Sequence, residues 1–250
     1  IRSSGFVIRN SFGFIYPTDF ASHCFYLFIA WGYVLRKRLI VLRTLVGLSL
    51  AFFIIKFCDA RLNALSVLVA TVIFIVMYVT KEKKLKIYGI LPYSAAFFSF
   101  LMFYLTYFFT WSSSLFVSLN NLFSMRLFLG KNAIDTYGIH LFGTTGVKFI
   151  GYGGSTESVY SYNYVDSSYI QMLFYYGVVP VVLLVFIYVL ASKRFYKQGM
   201  FLFLALLSLI TINCMIEAFW IRPGYNIFIF TLFASLLPIQ YKTKDRIELS

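Results

Sequence analysis

The chain has 250 residues, of which 60% are hydrophobic, 21% aromatic and only 12% charged, with a net charge of +13 and a mean hydropathy of +0.81. Globular chains carry about 25% charged residues, so the polar surface is too small to coat a soluble particle and the excess apolar surface must face lipid. A cytosolic enzyme, a secreted disulfide scaffold and a disordered tail are all excluded.

Residues 1–16 open on Ile1 and carry Arg2 and Arg9 in a glycine- and aromatic-containing stretch. It reads as an inter-span segment, so the sequence is expected to be the C-terminal part of a longer membrane protein. A bilayer core about 30 Å thick needs roughly 20 apolar residues in helix. Such runs are predicted at Pro17–Leu35, Leu39–Phe57, Leu62–Thr80, Ile87–Trp111, Ser168–Ala191, Met200–Trp220 and Tyr225–Tyr241. The expected fold is all-α, a polytopic integral membrane helix bundle forming a single domain over 1–250. It has about seven transmembrane helices and a long external loop, 112–167, with short interfacial helices.

Charge placement orients the bundle. Arg36, Lys37 and Arg38, then Lys81, Lys83, Lys84 and Lys86, then Lys193, Arg194 and Lys197, then Lys242, Lys244 and Arg246 fall in alternate short connections. The remaining cations, Arg43 apart, are spread over much longer segments. Arg43 is expected to snorkel back towards Arg36–Arg38. The positive-inside tendency then sets the N-terminus of this chain outside and the C-terminus in the cytoplasm, so the basic charge reports topology and no nucleic acid partner is expected.

The external loop carries ten aromatic residues, and its charges balance: Arg126, Lys131 and Lys148 against Asp135, Glu157 and Asp166. Long connections of this kind tend to be functional. The mixture suits a sugar-binding surface, with an interfacial aromatic belt as the other reading. A helix over Leu115–Gly130 would set Arg126 on a stripe with Leu115, Leu119, Leu122 and Leu129. A guanidinium there needs an anionic partner or must bend to water, and its planar fork suits phosphate or carboxylate. Gly151–Ser155 lacks the Lys-Ser/Thr of a phosphate loop and reads as a hinge. Cys24, Cys58 and Cys214 read as apolar fillers. There is no zinc-ligand spacing and no nucleophile elbow, so neither metal nor cofactor is expected.

The run LNNLFSMRLFLGKNAIDTYGIHLFG (Leu119–Gly143), followed by YVDSSYIQMLFYYGVVP (Tyr164–Pro180), resembles the C-terminal half of bacterial Wzy-type polysaccharide polymerases. IRNSFGFIYPTDF (Ile8–Phe20) is similar to that family's Arg, Gly-Phe and Pro-Asn approach to a span, with Thr18 in place of Asn. CDAR (Cys58–Arg61) resembles its Ser-Arg turn, with Ala60 in the Ser position. Glu217 and Asn226 fall where the family has Glu and Asn near its last spans.

The resemblance implies a membrane glycosyltransferase in the bacterial plasma (inner) membrane. It would polymerise undecaprenyl-pyrophosphate-linked oligosaccharide repeat units into O-antigen, capsule or exopolysaccharide. Undecaprenyl pyrophosphate is the leaving group, and both donor and acceptor are lipid-linked glycans. Membrane lipid, a chain-length regulator and a flippase are the implied partners. An O-antigen ligase, or a transporter or flippase of lipid-linked sugars, is the alternative. A transporter predicts charges deep within spans and broken helices.

Fixed cations beside a departing pyrophosphate lower the barrier. Arg126 and Arg61, supported by Arg222 and Arg9, are the candidates. A base for the acceptor hydroxyl is sought in Asp166, Glu217 or His140. Tyr164, Tyr169 and Tyr137 are candidate sugar-binding rings. Plainer roles stand beside each: Arg61 pairing Asp59, Arg222 anchoring a turn, Glu217 as a structural mate, Asp166 as an N-cap, and His140 as an interfacial contact.

Overall fold

The computed structural model describes residues 2–4, 7–35, 39–81, 83, 85–151 and 162–236. The described chain is helical apart from one antiparallel hairpin, β1 (Arg2–Ser4) with β2 (Val7–Arg9), paired Arg2 to Arg9. The helices are α1 (Pro17–Leu35), α2 (Ile40–Phe53) continued by a π turn (Ile54–Cys58), and α3 (Arg61–Val79). Next come α4 (Ser94–Tyr107), the loop helices α5 (Ser114–Leu122) and α6 (Arg126–Tyr137), and α7 (Ser168–Tyr176). The last are α8 (Val178–Lys197), α9 (Phe201–Asn213) and α10 (Ile229–Leu236).

Four helical stretches, Ile40–Cys58, Arg61–Val79, Lys86–Tyr107 and Val178–Lys197, are long and apolar enough to cross a bilayer. Helix α1 has α3's length of 19 residues, but Asp19 and His23 lower its apolarity. Large apolar side chains such as Leu27, Val34, Val41, Phe52 and Phe100 stand unburied on the outside of the bundle, which is where acyl chains replace water. Close helix approach comes from missing side chains. A Cβ on Gly32 would meet the Phe74 ring at 2.3 Å, and one on Gly47 would meet Thr71 Oγ1 at 2.1 Å. Polar pairs add directional contacts inside: Ser66 donates to Asn213 Oδ1 at 2.6 Å and Ser22 to Asn63 Oδ1 at 3.3 Å.

Three expected spans differ. The fifth does not run from Ser168, because the chain breaks at Gly177 (φ +90°) between α7 and α8. Tyr169 near the start of α7 and Tyr188 midway down α8 both pack on Trp220, at 5.1 and 6.0 Å between ring centroids. The two helices therefore run antiparallel. Ser168 lies inside the bundle, and α7, about 14 Å long at 1.5 Å per residue, rises from there to Gly177. Helix α7 thus doubles back along α8, and the stretch long and apolar enough to cross a bilayer is α8. The sixth, Met200–Trp220, is helical only to Asn213, about 20 Å, and all but one of its residues are buried against other helices. Of the seventh, Tyr225–Tyr241, residues 225–236 are described, and the helix there begins only at Ile229. Arg43 turns inward instead of snorkelling: it is 1% exposed, donates to Gly32 O at 2.9 Å and lies over Phe74.

The bundle has two unlike ends. At one, Tyr88 stacks on Phe201 at 5.1 Å, Tyr196 meets Phe201 at 5.8 Å, and the Lys193 ammonium sits over Tyr93 at 4.8 Å. This end holds the finish of α3 and α8 and the start of α9, beside Lys81, Lys86 and Lys197. The long loop and the ends of α4 and α9 gather at the other.

Candidate functional site

The corner between α5 and α6 is built by Asn120. Its Oδ1 accepts from Phe128 N–H at 3.0 Å and its backbone carbonyl from Met125 N–H at 2.8 Å, while Ser124 and Met125 take positive φ. This corner interrupts the helix expected over Leu115–Gly130. Arg126 therefore starts a new helix and leaves the apolar stripe. Its Nε donates to Ile216 O at 2.7 Å, and Nη2 pairs with Asp166 Oδ2 at 3.3 Å. Asp166 is an ion-pair partner, not the N-cap of α7; that position is Ser167, which makes no side-chain cap bond.

The turn after α9 supplies the rest. Ser168 Oγ accepts from Trp220 N–H at 3.1 Å and donates to Glu217 O, so one hydroxyl staples this turn to the foot of α7. Arg222 Nη2 donates to Tyr164 Oη at 3.2 Å and to Gln171 Oε1 at 3.1 Å. Among the described residues no carboxylate lies within ion-pairing distance of Arg222, so its charge has only neutral hydrogen-bond partners. Arg222 lines a cleft of about 150 Å³ with Ser168, Gln171, Met172, Tyr175, Tyr176, Ala218 and Ile221. That volume equals roughly five waters at about 30 Å³ each, close to the bulk of one sugar ring.

Burial raises the Asp166 carboxyl above its usual range, opposed by Arg126 and Arg222. Glu217, in the non-helical turn past α9, is pushed up by burial to about 8, with Arg126 pulling the other way. The folded protein thus holds the Glu217 proton more tightly than the unfolded chain. Stability falls as pH rises from about 4.5 through about 8. In thermal melts of the detergent-solubilised protein, Glu217→Gln is expected to remove this slope; an unchanged slope would contradict the assignment.

Arg126 and Asp166 hold α6 to the turn after α9. Arg126→Ala leaves Asp166 and the Ile216 carbonyl short of a partner and is expected to cost about 3 kcal/mol, read as a lower melting temperature. Adding Asp166→Asn should recover part of the loss, since it removes the orphaned charge.

Of the residues singled out by sequence, Arg126, Asp166, Glu217, Arg222 and Tyr164 converge. The others do not. Arg9 donates to Cys58 O at 3.0 Å and Asp59 O at 3.4 Å, fastening the turn between the π segment and α3. Arg61 is 88% exposed and meets Asp59 at 3.4 Å, because its position at the start of α3 points it away from the bundle. His140 is exposed, with Nε2 against Tyr137 O and its own carbonyl accepting from Val178 N–H. Tyr137 Oη donates to Lys148 O at 3.3 Å and pins the loop. Tyr169 is buried with its hydroxyl on Thr211 O at 2.8 Å, in the core under the cleft rather than on its wall. The hinge at Gly151–Ser155 lies, Gly151 apart, outside the described residues.

Gln171, Asp19, His23 and Tyr225 were missed. Asp19 and His23 are one turn apart in an otherwise apolar helix, a pattern that marks a functional position in a membrane segment. Among the described residues no group of His, Cys, Asp and Glu could hold a metal ion. No protein family, curated protein or solved structure matches the chain.

Proposed function

We propose that this protein polymerises undecaprenyl-pyrophosphate-linked repeat units by glycosyl transfer at the outer face of the bacterial plasma membrane. The observation that carries the reading is Arg222. It is a guanidinium held by neutral partners, lining a sugar-sized cleft at the bundle end opposite the lysine-rich connections. A fixed cation there can take up charge as a diphosphate departs. Tyr175 and Tyr176, both half-exposed at the cleft wall, offer ring faces to a saccharide. The motif resemblance over Leu119–Gly143 and Tyr164–Pro180 supports the same chemistry. In this reading the chain keeps about seven passes, with α1, α9 and α10 completing the four long spans, and the lysine-rich end faces the cytoplasm.

Purified protein in vesicles, given lipid-linked repeat units, is expected to yield a ladder of longer lipid-linked glycans and free undecaprenyl pyrophosphate. Repeat units recovered unchanged would reject the reading. The doubling back of α7 favours one alternative, a carrier of lipid-linked sugars. It predicts transfer of intact repeat units across the vesicle membrane with no ladder.

A further inference from the structure

Beside Arg222 lies a group of side chains with no role so far. His23 Nδ1 is 2.9 Å from the Asp19 carbonyl oxygen. A carbonyl only accepts, so Nδ1 carries the proton, and in the neutral ring Nε2 is an acceptor. No described residue hydrogen-bonds Nε2. The ring is clamped between Phe14 at 4.7 Å and Tyr225 at 4.3 Å between centroids. This fixes its plane, and the residue is only partly buried.

Tyr225 ties this ring to the cleft. It stacks on Phe219 at 4.0 Å and 13°, the Arg222 guanidinium lies 6.0 Å from the same Phe219 ring, and Tyr225 N–H donates to Arg222 O at 3.0 Å. The Tyr225 hydroxyl is directed at the Asp19 carboxylate, which also feels His23 and Arg222. An unprotonated ring nitrogen thus stands two stacked rings, Tyr225 and Phe219, from a guanidinium, with a carboxylate beside it to stabilise an imidazolium.

We propose that His23 is the general base of the transfer and that Asp19 and Tyr225 position it. This rests on the reading of the cleft as a glycosyl-transfer site. The acceptor hydroxyl gives its proton to His23 Nε2 as its oxygen bonds the anomeric carbon. The bond from that carbon to the phosphate oxygen breaks, and undecaprenyl pyrophosphate leaves with the electron pair beside Arg222. Asp166 is already paired with Arg126, and Glu217 is buried beneath the turn, so neither competes for this task.

The test is elongation by the full chain in vesicles, measured against pH for wild type, His23→Gln and Tyr225→Phe. A base contributes about 10²–10⁴-fold, so His23→Gln should lower kcat by at least 10²-fold. It should also abolish the rise of rate with pH while leaving KM for lipid-linked donor nearly unchanged. Tyr225→Phe keeps the ring clamp but loses the hydroxyl aimed at Asp19, and should lower kcat severalfold, less than His23→Gln, with KM unchanged. Equal melting temperatures of wild type and His23→Gln would separate chemistry from folding; if His23→Gln does not fold, His23→Asn is measured in its place. A His23→Gln protein that elongates like wild type, with the same pH profile, overturns this proposal alone. Failure of wild type to elongate overturns it together with the reading it rests on.

Discussion

Replacing Arg222 with alanine is expected to stop elongation, slowing it by about 10²–10³-fold while single lipid-linked repeat units accumulate. The cause is the loss of the cleft's guanidinium, which Tyr164 and Gln171 hold through neutral hydrogen bonds. Arg126 is already neutralised by Asp166 and cannot substitute for it. Folding is expected to weaken as well, since hydrogen bonds from a charged group are worth about 1.5–3 kcal/mol each, so melting temperature is read beside the rate. Arg222→Lys should recover only a small part of the rate, because an ammonium has no planar fork to hold Gln171, Tyr164 and a phosphate together. A polymer ladder is read on gels from membranes with matched protein levels. Full-length polymer from Arg222→Ala would remove the cation from the mechanism.

The second large effect concerns the fold. Gly177→Val should detach the outer loop and destabilise the protein by about 3 kcal/mol, from a left-handed backbone and overpacking together. A Cβ on Gly177 would sit 2.3 Å from Gly143 N and 2.4 Å from Leu141 O, and one on Gly143 would sit 2.6 Å from Tyr175 O. Neither side can yield, because the contacts are backbone. The same crossing carries three bonds: Val178 N–H to His140 O, Val179 N–H to Leu141 O and Thr144 N–H to Phe174 O. The loop thereby satisfies amides that the start of α8 would leave free. Gly146→Ala is the control, with φ +77° but open space around it. It should cost only the backbone strain of about 1–2 kcal/mol. Thermal melts and protease sensitivity of residues 138–151 would report both; equal stability of Gly177→Val and Gly146→Ala would deny the interlock.

That interlock explains what could be read from the chain. Tyr-Gly at 176–177 and Leu-Phe-Gly at 141–143 stand out as separate motifs, but nothing in their spacing says that the two glycines meet. Hydropathy counts YYGVVP as more of the same span, because it registers apolarity and not the φ of one residue. The alternation of lysine-rich connections was legible, since charge placement depends only on which end a loop occupies. Of the four basic connections, those at Lys81–Lys86 and Lys193–Lys197 fall at one end of the bundle, while Arg36–Arg38 and Lys242–Arg246 lie outside the described residues. Arg126 was found as a chemically notable residue, but its neighbours were not, because the Ser124–Met125 turn resets the helical phase. Arg61 is as suitable a cation by residue type, and only its direction at the start of α3 takes it away from the cleft. Asp19 and His23 stand four residues apart in the sequence, but nothing in that spacing says that the start of α1 meets Tyr225 in the turn beside Arg222.

Helix α9 touches little but protein, and that has a consequence for the surrounding bilayer. A helix of about 20 Å facing acyl chains would force the membrane to thin around it. Encased, it imposes no such demand, and the irregular backbone beyond it can sit below the headgroups without meeting hydrocarbon. The foot of α7 occupies the same sheltered well.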